Sequence, residues 1–279
     1  HTAASVGNFE ITRFIIDNVE NKNPRLPVGL TPLHMAAKQG HLEICKLIIA
    51  KIGALNPEDT TGSTPLHLAA SQGHFEICEF VIRKIVDKNP GDINGETPLH
   101  LAAQNGNYMS YQVIFQNVFD KNPRNNLGYF PLHVAALYGH FEIFVLTLPN
   151  VQNKNPGNDI GLTPLHLAAA KGHARICQYI MDLLGFDVNP EDVNGRTPLH
   201  YAAQTGNRMS YEVILETVLD MDIFVAVNPG DLIGNTPLHE AAWFGHFEIF
   251  EIAVPIVQDI NPGNHVGLTP LHFAAANGH

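Results

Sequence analysis

The chain is short of cysteine, tryptophan and basic side chains: three Cys, one Trp and sixteen Lys plus Arg in 279 residues. Three cysteines cannot build a disulfide framework, so a reducing environment is expected: the cytosol, the cytosolic face of a membrane protein, or the nucleus. With 27 acidic residues the formal net charge is -11. Nucleic acid is therefore disfavoured as a partner, because binding its backbone needs concentrated positive charge. No run of about 18 apolar residues is free of charge or histidine, so direct membrane insertion is not expected. No signal peptide is expected either, since His1 opens in mid-pattern. At 45% hydrophobic and 15% charged, the composition is that of a folded soluble chain rather than a disordered tail.

What is plentiful is histidine, with sixteen copies, beside 23 glycines and 19 prolines. A repeat accounts for them. The tetrapeptide TPLH, once FPLH, ends at His34, His67, His100, His133, His166, His200, His239 and His272, in steps of 33, 33, 33, 33, 34, 39 and 33 residues. The opening H-T-A-A-S-V-G-N matches H-M-A-A-K-Q-G-H from His34, one further period upstream. Six more histidines follow the glycine of A-A-x-x-G-H: His41, His74, His140, His173, His246 and His279. Only His265 lies off this pattern. Each of the eight TPLH or FPLH copies also carries Asn-Pro, always with the Asn eleven residues before the histidine. Cys45, Cys78 and Cys177 share one position, which reads as a buried thiol face rather than a catalytic set.

One copy shows the physical logic. N56-P-E-D-T-T-G62 is a turn signature. Thr64 suits an N-cap, and Pro65 suits the first helical position, where its missing N–H costs nothing. A short helix from Pro65 to about Ser71 should turn Leu66, Ala69 and Ala70 inward and end at Gly73. A second helix, Phe75 to Ile85, has apolar residues on two faces. A 33-residue unit cannot bury both alone, so copies must stack.

T-P-L-H-x-A-A-x-x-G-H followed by a second helix and a turn, repeated every 33 residues, resembles the ankyrin repeat over the whole chain. The resemblance implies an all-α repeat solenoid of paired antiparallel helices joined by β-hairpin-like fingers. It also implies a concave face that, with the fingers, binds proteins. The family's usual G-A-D-V-N ending is replaced here by forms such as V-D-K-N-P. The expected organisation is a single repeat domain over residues 1–279, of about nine copies. The first (1–22) and last (261–279) are incomplete, and six extra residues fall around 221–227. Neither end has the polar cap that terminal repeats normally carry, which leaves room for a spacer or regulatory array within a larger anchor, channel or receptor protein. As a fragment the chain is expected to be monomeric.

A longer period overlies the short one. Residues 99–114 match residues 199–214, and G139-H-F-E-I-F144 matches G245-H-F-E-I-F250, as Pro149 matches Pro255. Both prolines should shorten or kink their second helices.

Candidate binding positions are the residue after each finger glycine and the two residues before each helix-ending glycine. Most are small or polar. The exceptions are Tyr129, Leu137 and Tyr138, and Trp243 and Phe244, with Arg196 and Asn235 at the finger positions. Two readings stay open for the aromatics: interface anchors, or packing between neighbouring first helices. Ile223, Phe224 and Val225, in the long step, form a secondary candidate patch or fold back on adjoining helices. Residues 176–279 hold 13 acidic residues against Arg196 and Arg208, whereas residues 1–175 balance. A partner with a basic surface would be steered to that third; a merely solubilising face is the plainer reading. The TPLH histidines recur too far apart to share a metal. They should tie Thr hydroxyl and neighbouring finger backbone together. No catalytic, cofactor or metal motif is present, and no cofactor is expected.

Overall fold

The computed structural model describes residues 1–184, 189–220 and 227–279. The described residues form helices in serial pairs and no strand. The first helix of each TPLH or FPLH copy begins at its proline: Pro32–Lys38, Pro65–Gln72, Pro98–Gln104, Pro131–Tyr138, Pro164–Lys171, Pro198–Thr205, Pro237–Phe244 and Pro270–Asn277. The second helices include Leu42–Ile52, Phe75–Ile82, Tyr108–Asn117, Ala174–Leu184, Arg208–Asp220 and Phe247–Ala253.

Residues 1–135 with 145–150 make one compact unit, and residues 136–144 with 151–279 make another. In the first unit, Pro32–Lys38 packs on Pro65–Gln72, which packs on Pro98–Gln104; Leu42–Ile52, Phe75–Ile82 and Tyr108–Asn117 stack alongside. In the second, Pro164–Lys171, Pro198–Thr205, Pro237–Phe244 and Pro270–Asn277 stack in series, and Ala174–Leu184, Arg208–Asp220 and Phe247–Ala253 form the second row.

Close stacking is what the A-A pair permits. Leu66, Ala69 and Ala70 are fully buried, as are Leu199, Ala202 and Ala203 in the second unit. Each such leucine contributes roughly 1.5–3 kcal/mol by leaving water. The helix starts are closed by a variant of the capping box in which the N3 residue is histidine: Thr64 is the N-cap, and Thr64 and His67 bond reciprocally. Gly73, in the left-handed region at φ 81°, ends the helix.

The second helix of this copy is shorter than its sequence suggests, ending at Ile82 rather than Ile85. Lys84 N–H donates to Val81 O at 2.9 Å, an i−3 bond that tightens the last turn and lets Ile85 turn into the core. The two prolines act as stops: Phe141–Thr147 passes into a 3₁₀ turn at Leu148–Asn150, and Phe247–Ala253 ends two residues before Pro255.

The fingers are turns rather than strand pairs. Asp59 Oδ1 accepts the N–H groups of Thr61 at 2.8 Å and Ser63 at 3.0 Å, and Asp59 N–H closes the turn on Ser63 O. Successive fingers exchange a single backbone bond, such as Thr60 N–H to Val28 O at 3.1 Å and His265 N–H to Ile233 O at 3.0 Å. One bond per finger is too few to make a ladder, which is why no strand forms.

Candidate functional site

Two sets of polar contacts hold the copies in register. In the first, the TPLH imidazole reaches forward. His67 Nδ1 accepts the Thr64 N–H at 3.1 Å and faces the Thr64 hydroxyl at 2.8 Å, while Nε2 lies 3.0 Å from Glu96 O in the next finger. The same link joins His34 to Ser63 and His100 to Tyr129 in the first unit. In the second unit it joins His166 to Arg196, His200 to Asn235 and His239 to Leu268. An Nδ1 that accepts an N–H leaves Nε2 as the donor, so the ring is neutral. Burial pushes His100, His166 and His200 down to about 4 and lowers His34, His67 and His239. His133 has Phe130 in place of Thr; Phe130 N–H still donates to its Nδ1, at 3.3 Å, and the two rings stack. In the last copy His272 keeps the Thr269 bonds and is exposed.

The second set points the other way. His74 Nε2 lies 3.1 Å from Lys38 O, His173 Nε2 3.2 Å from Leu137 O and His246 Nε2 3.1 Å from Gln204 O, each in the preceding copy. Asparagine replaces this histidine at Asn8, Asn107 and Asn207, and the latter two reach back in the same way: Asn107 Nδ2 donates to Ser71 O at 2.7 Å, and Asn207 Nδ2 to Ala170 O at 2.7 Å. This backward reach is not visible in the sequence, which places the side chain only at the start of a helix. The recurrent Asn before Pro has a similar local task, since Asn56 Oδ1 accepts Leu66 N–H at 3.2 Å. The histidines thus serve copy-to-copy cohesion, and among the described residues no group of three His, Cys, Asp or Glu side chains could hold a metal. Cys45, Cys78 and Cys177 are buried free thiols, pushed up to about 12 by burial.

The candidate binding residues are placed as follows. Tyr129, in the first unit, is half-buried, its ring edge-on to His133 with centroids 5.6 Å apart. In the second unit Leu137 is half-buried and Tyr138 exposed, stacked on His140. The matched copy repeats that stack with Phe244 on His246. Trp243 and Phe244 keep 46% and 44% of their surface exposed, and the Trp243 ring stands edge-on to Phe273 with centroids 5.4 Å apart. Trp243 therefore both packs and faces solvent. Around it, Gln204, Asn235, His239, Glu240, Phe244 and Phe273 line a hollow of about 220 Å³.

Arg196 and Asn235 are half-buried on the same side. The Arg196 guanidinium lies 4.6 Å from the Tyr201 ring centroid, donates to Gln204 Oε1 at 3.1 Å and stands 3.4 Å from Glu240 Oε2. Tyr201 O–H donates to Asp192 Oδ2 at 2.7 Å. Burial outweighs Arg196 at Glu240 and holds its carboxyl above the usual range. Asn235 Oδ1 accepts Asn264 Nδ2 at 2.8 Å. Ile223, Phe224 and Val225 lie outside the described residues.

Sequence reasoning looked one residue past each finger glycine and missed the tips themselves. In the second unit Ile160, Val193, Leu232, Ile233 and Val266, one or two residues before the glycine, are exposed aliphatics on consecutive fingers. Their signal was available: aliphatic residues inside a turn with no core to join.

Family models describing ankyrin repeats in three copies match residues 1–92, 84–153 and 144–224, and a single ankyrin-repeat model matches residues 233–259. No curated protein matches the chain.

Proposed function

The chain belongs to the ankyrin-repeat family, whose repeats are generally protein–protein interaction modules, and on that premise we propose that it is a non-catalytic scaffold. It binds a protein partner through the face and fingers that the family turns inward. The observation that carries this reading is the exposure of Trp243 and Phe244. Equivalent positions hold Ser71 and Gln72, Gln104 and Asn105, or Gln204 and Thr205. Stacking of copies does not require bulky aromatics there, and half-exposed aromatics are the usual anchors of interfaces. Arg196 and Asn235 flank them, Leu137 and Tyr138 are further candidate contacts in the same unit, and Tyr129 is a separate candidate in the first unit. The acid excess of residues 176–279 favours a partner with a basic surface. The three buried thiols suit a cytosolic or nuclear setting.

The test is affinity capture with the unaltered chain and with a Trp243→Ala/Phe244→Ala variant, alongside circular dichroism and thermal melting of both. Loss of the captured partner with the fold retained is expected. Capture undiminished by the double variant would assign the array the role of a spacer or regulatory segment within a larger anchor, channel or receptor protein.

A further inference from the structure

The residue after each TPLH or FPLH histidine is aromatic in only two of the eight such copies, at Tyr201 and Phe273; the intervening copy has Glu240 there. Glu240 therefore stands between two aromatic rings. The first of these already holds a cation. Arg196, from the finger of Tyr201's own copy, lays its guanidinium 4.6 Å from the ring centroid and within 3.4 Å of Glu240 Oε2. Its side chain and that of Glu240 are only 18% and 15% exposed, so the pair works in a poorly solvated setting. There a cation over an aromatic face is held more strongly than at an exposed site.

Among the described residues no cation lies over the second ring. The finger position that supplies Arg196 in Tyr201's copy supplies Leu268 in Phe273's copy. In place of a cation there is open volume, the hollow of about 220 Å³ between Glu240, Trp243 and Phe273. The two rings are set at 76°, two walls of a corner with the carboxylate beside it. We propose that this corner is the seat of an arginine side chain from the partner, its guanidinium against the Trp243 and Phe273 rings and its charge facing Glu240. It repeats with an outside residue the arrangement that Arg196 makes internally at Tyr201.

Three further observations agree with that chemistry. Arg196 does not offset the burial of Glu240, whose carboxyl stays above its ordinary range, so a second cation is favoured there. Residues 176–279 carry 13 acidic groups against two basic ones, a field that draws cations and repels anions. A planar guanidinium stacks on rings and meets a carboxylate side-on, which suits a corner better than the compact, strongly hydrated ammonium of lysine. The proposal rests on the binding role given to this face and names the side chain that the face selects.

Trp243 is the only tryptophan, so its fluorescence reports this corner alone. The experiment titrates the full 279-residue chain with acetyl-Leu-Arg-Leu-amide and with its citrulline counterpart, which keeps the shape and lacks the charge. A saturable change in Trp243 emission is expected with the arginine peptide, with an apparent affinity at least about tenfold weaker for citrulline. Glu240→Gln should weaken the arginine peptide by a similar factor, and Glu248→Gln should leave it unchanged. Phe273→Leu, which keeps Glu240 and the Arg196 pair, is the second variant should Glu240→Gln fail to fold, and it too should weaken binding. Equal affinity for the two peptides, no response to either, or an arginine response indifferent to Phe273→Leu overturns the proposal. If the Trp243→Ala/Phe244→Ala variant loses its captured partner while the peptides do not discriminate, the binding face stands and its arginine chemistry falls. If the arginine peptide binds selectively while capture is unaffected, the seat stands and the binding role given to this face falls.

Discussion

The hydroxyl of Tyr111 lies 2.7 Å from that of Thr147, both side chains fully buried. In the matched block Tyr211 is equally buried, but position 253, which corresponds to Thr147, is alanine. The Tyr211 hydroxyl accordingly has no hydrogen-bond partner among the described residues. One sequence block thus carries the same buried tyrosine in a satisfied and an unsatisfied form. Tyr111→Phe removes a hydrogen bond and should cost about 1 kcal/mol, whereas Tyr211→Phe removes a desolvated, unpaired group and should be neutral or stabilising by up to about 1 kcal/mol. Urea unfolding of the two single variants checks this. Equal destabilisation by both would show that Tyr211 has found a partner.

The forward-reaching histidines make the fold acid-labile. Their folded rings are neutral and depressed, to about 4 for His100, His166 and His200, by burial first of all. The unfolded rings titrate near pH 6.5. As pH falls below about 6.5 the unfolded chain takes up protons that the folded chain refuses, so stability is full above that value. It is lost progressively down to about 4, below which these rings add no further loss. Each of the three accounts for at most about 3 kcal/mol over that window. Urea midpoints measured from pH 7.5 to 4 should therefore fall steeply below 6.5. His100→Gln keeps an N3 acceptor for the cap but cannot titrate, and should reduce the slope by up to about 1.4 kcal/mol per pH unit. An unchanged slope would remove His100 from this account.

Two glycines with nearly the same backbone separate conformational strain from crowding. Gly53, at φ 75°, has open space where a Cβ would stand. Gly29, at φ 81°, would place that Cβ 2.6 Å from Thr60 N, which donates to Val28 O. Gly53→Ala should cost about 1 kcal/mol, the left-handed backbone alone. Gly29→Ala should cost at least about twice as much, and should speed hydrogen exchange at the Thr60 amide by breaking the finger-to-finger bond. Similar costs at the two sites would mean that the fingers slide apart freely.

The parts of the fold that the sequence made legible are those decided locally. Thr64, Pro65 and Gly73 mark a helix start and stop by their own backbone chemistry, and the 33-residue period says that such helices stack. Contacts that cross copies were legible only in part. The TPLH ring is assigned by sequence to its Thr and to the neighbouring finger, and the structure adds which nitrogen serves each, Nδ1 the cap and Nε2 the finger. The backward bond of His74 to Lys38 O, 36 residues upstream, has no local signature, and its replacement by Asn107 looks in sequence like a lost histidine. At the candidate site, Trp243 and Phe244 stood out because bulky rings replaced small polar residues. The corner made with Phe273 and the Arg196–Glu240 pair did not, since it depends on how three successive copies are juxtaposed. The second helix ending at Ile82 was overestimated because Ile85 continues the apolar pattern while leaving the helix.

The opposed reach of the two polar rows also governs how such a chain can change length. Within each unit a copy is gripped by an imidazole arriving from before it and by a histidine or asparagine arriving from after it. Removing or adding one whole period returns every donor to an equivalent carbonyl; a partial change between a TPLH histidine and the start of its second helix shifts one row against the other. The long step between His200 and His239 adds six residues rather than a whole period, and both rows still close: His200 meets Asn235 O at 2.9 Å and His246 meets Gln204 O at 3.1 Å. Growth by duplication of whole blocks, as residues 99–114 and 199–214 record, is a change that keeps every bond of this wiring.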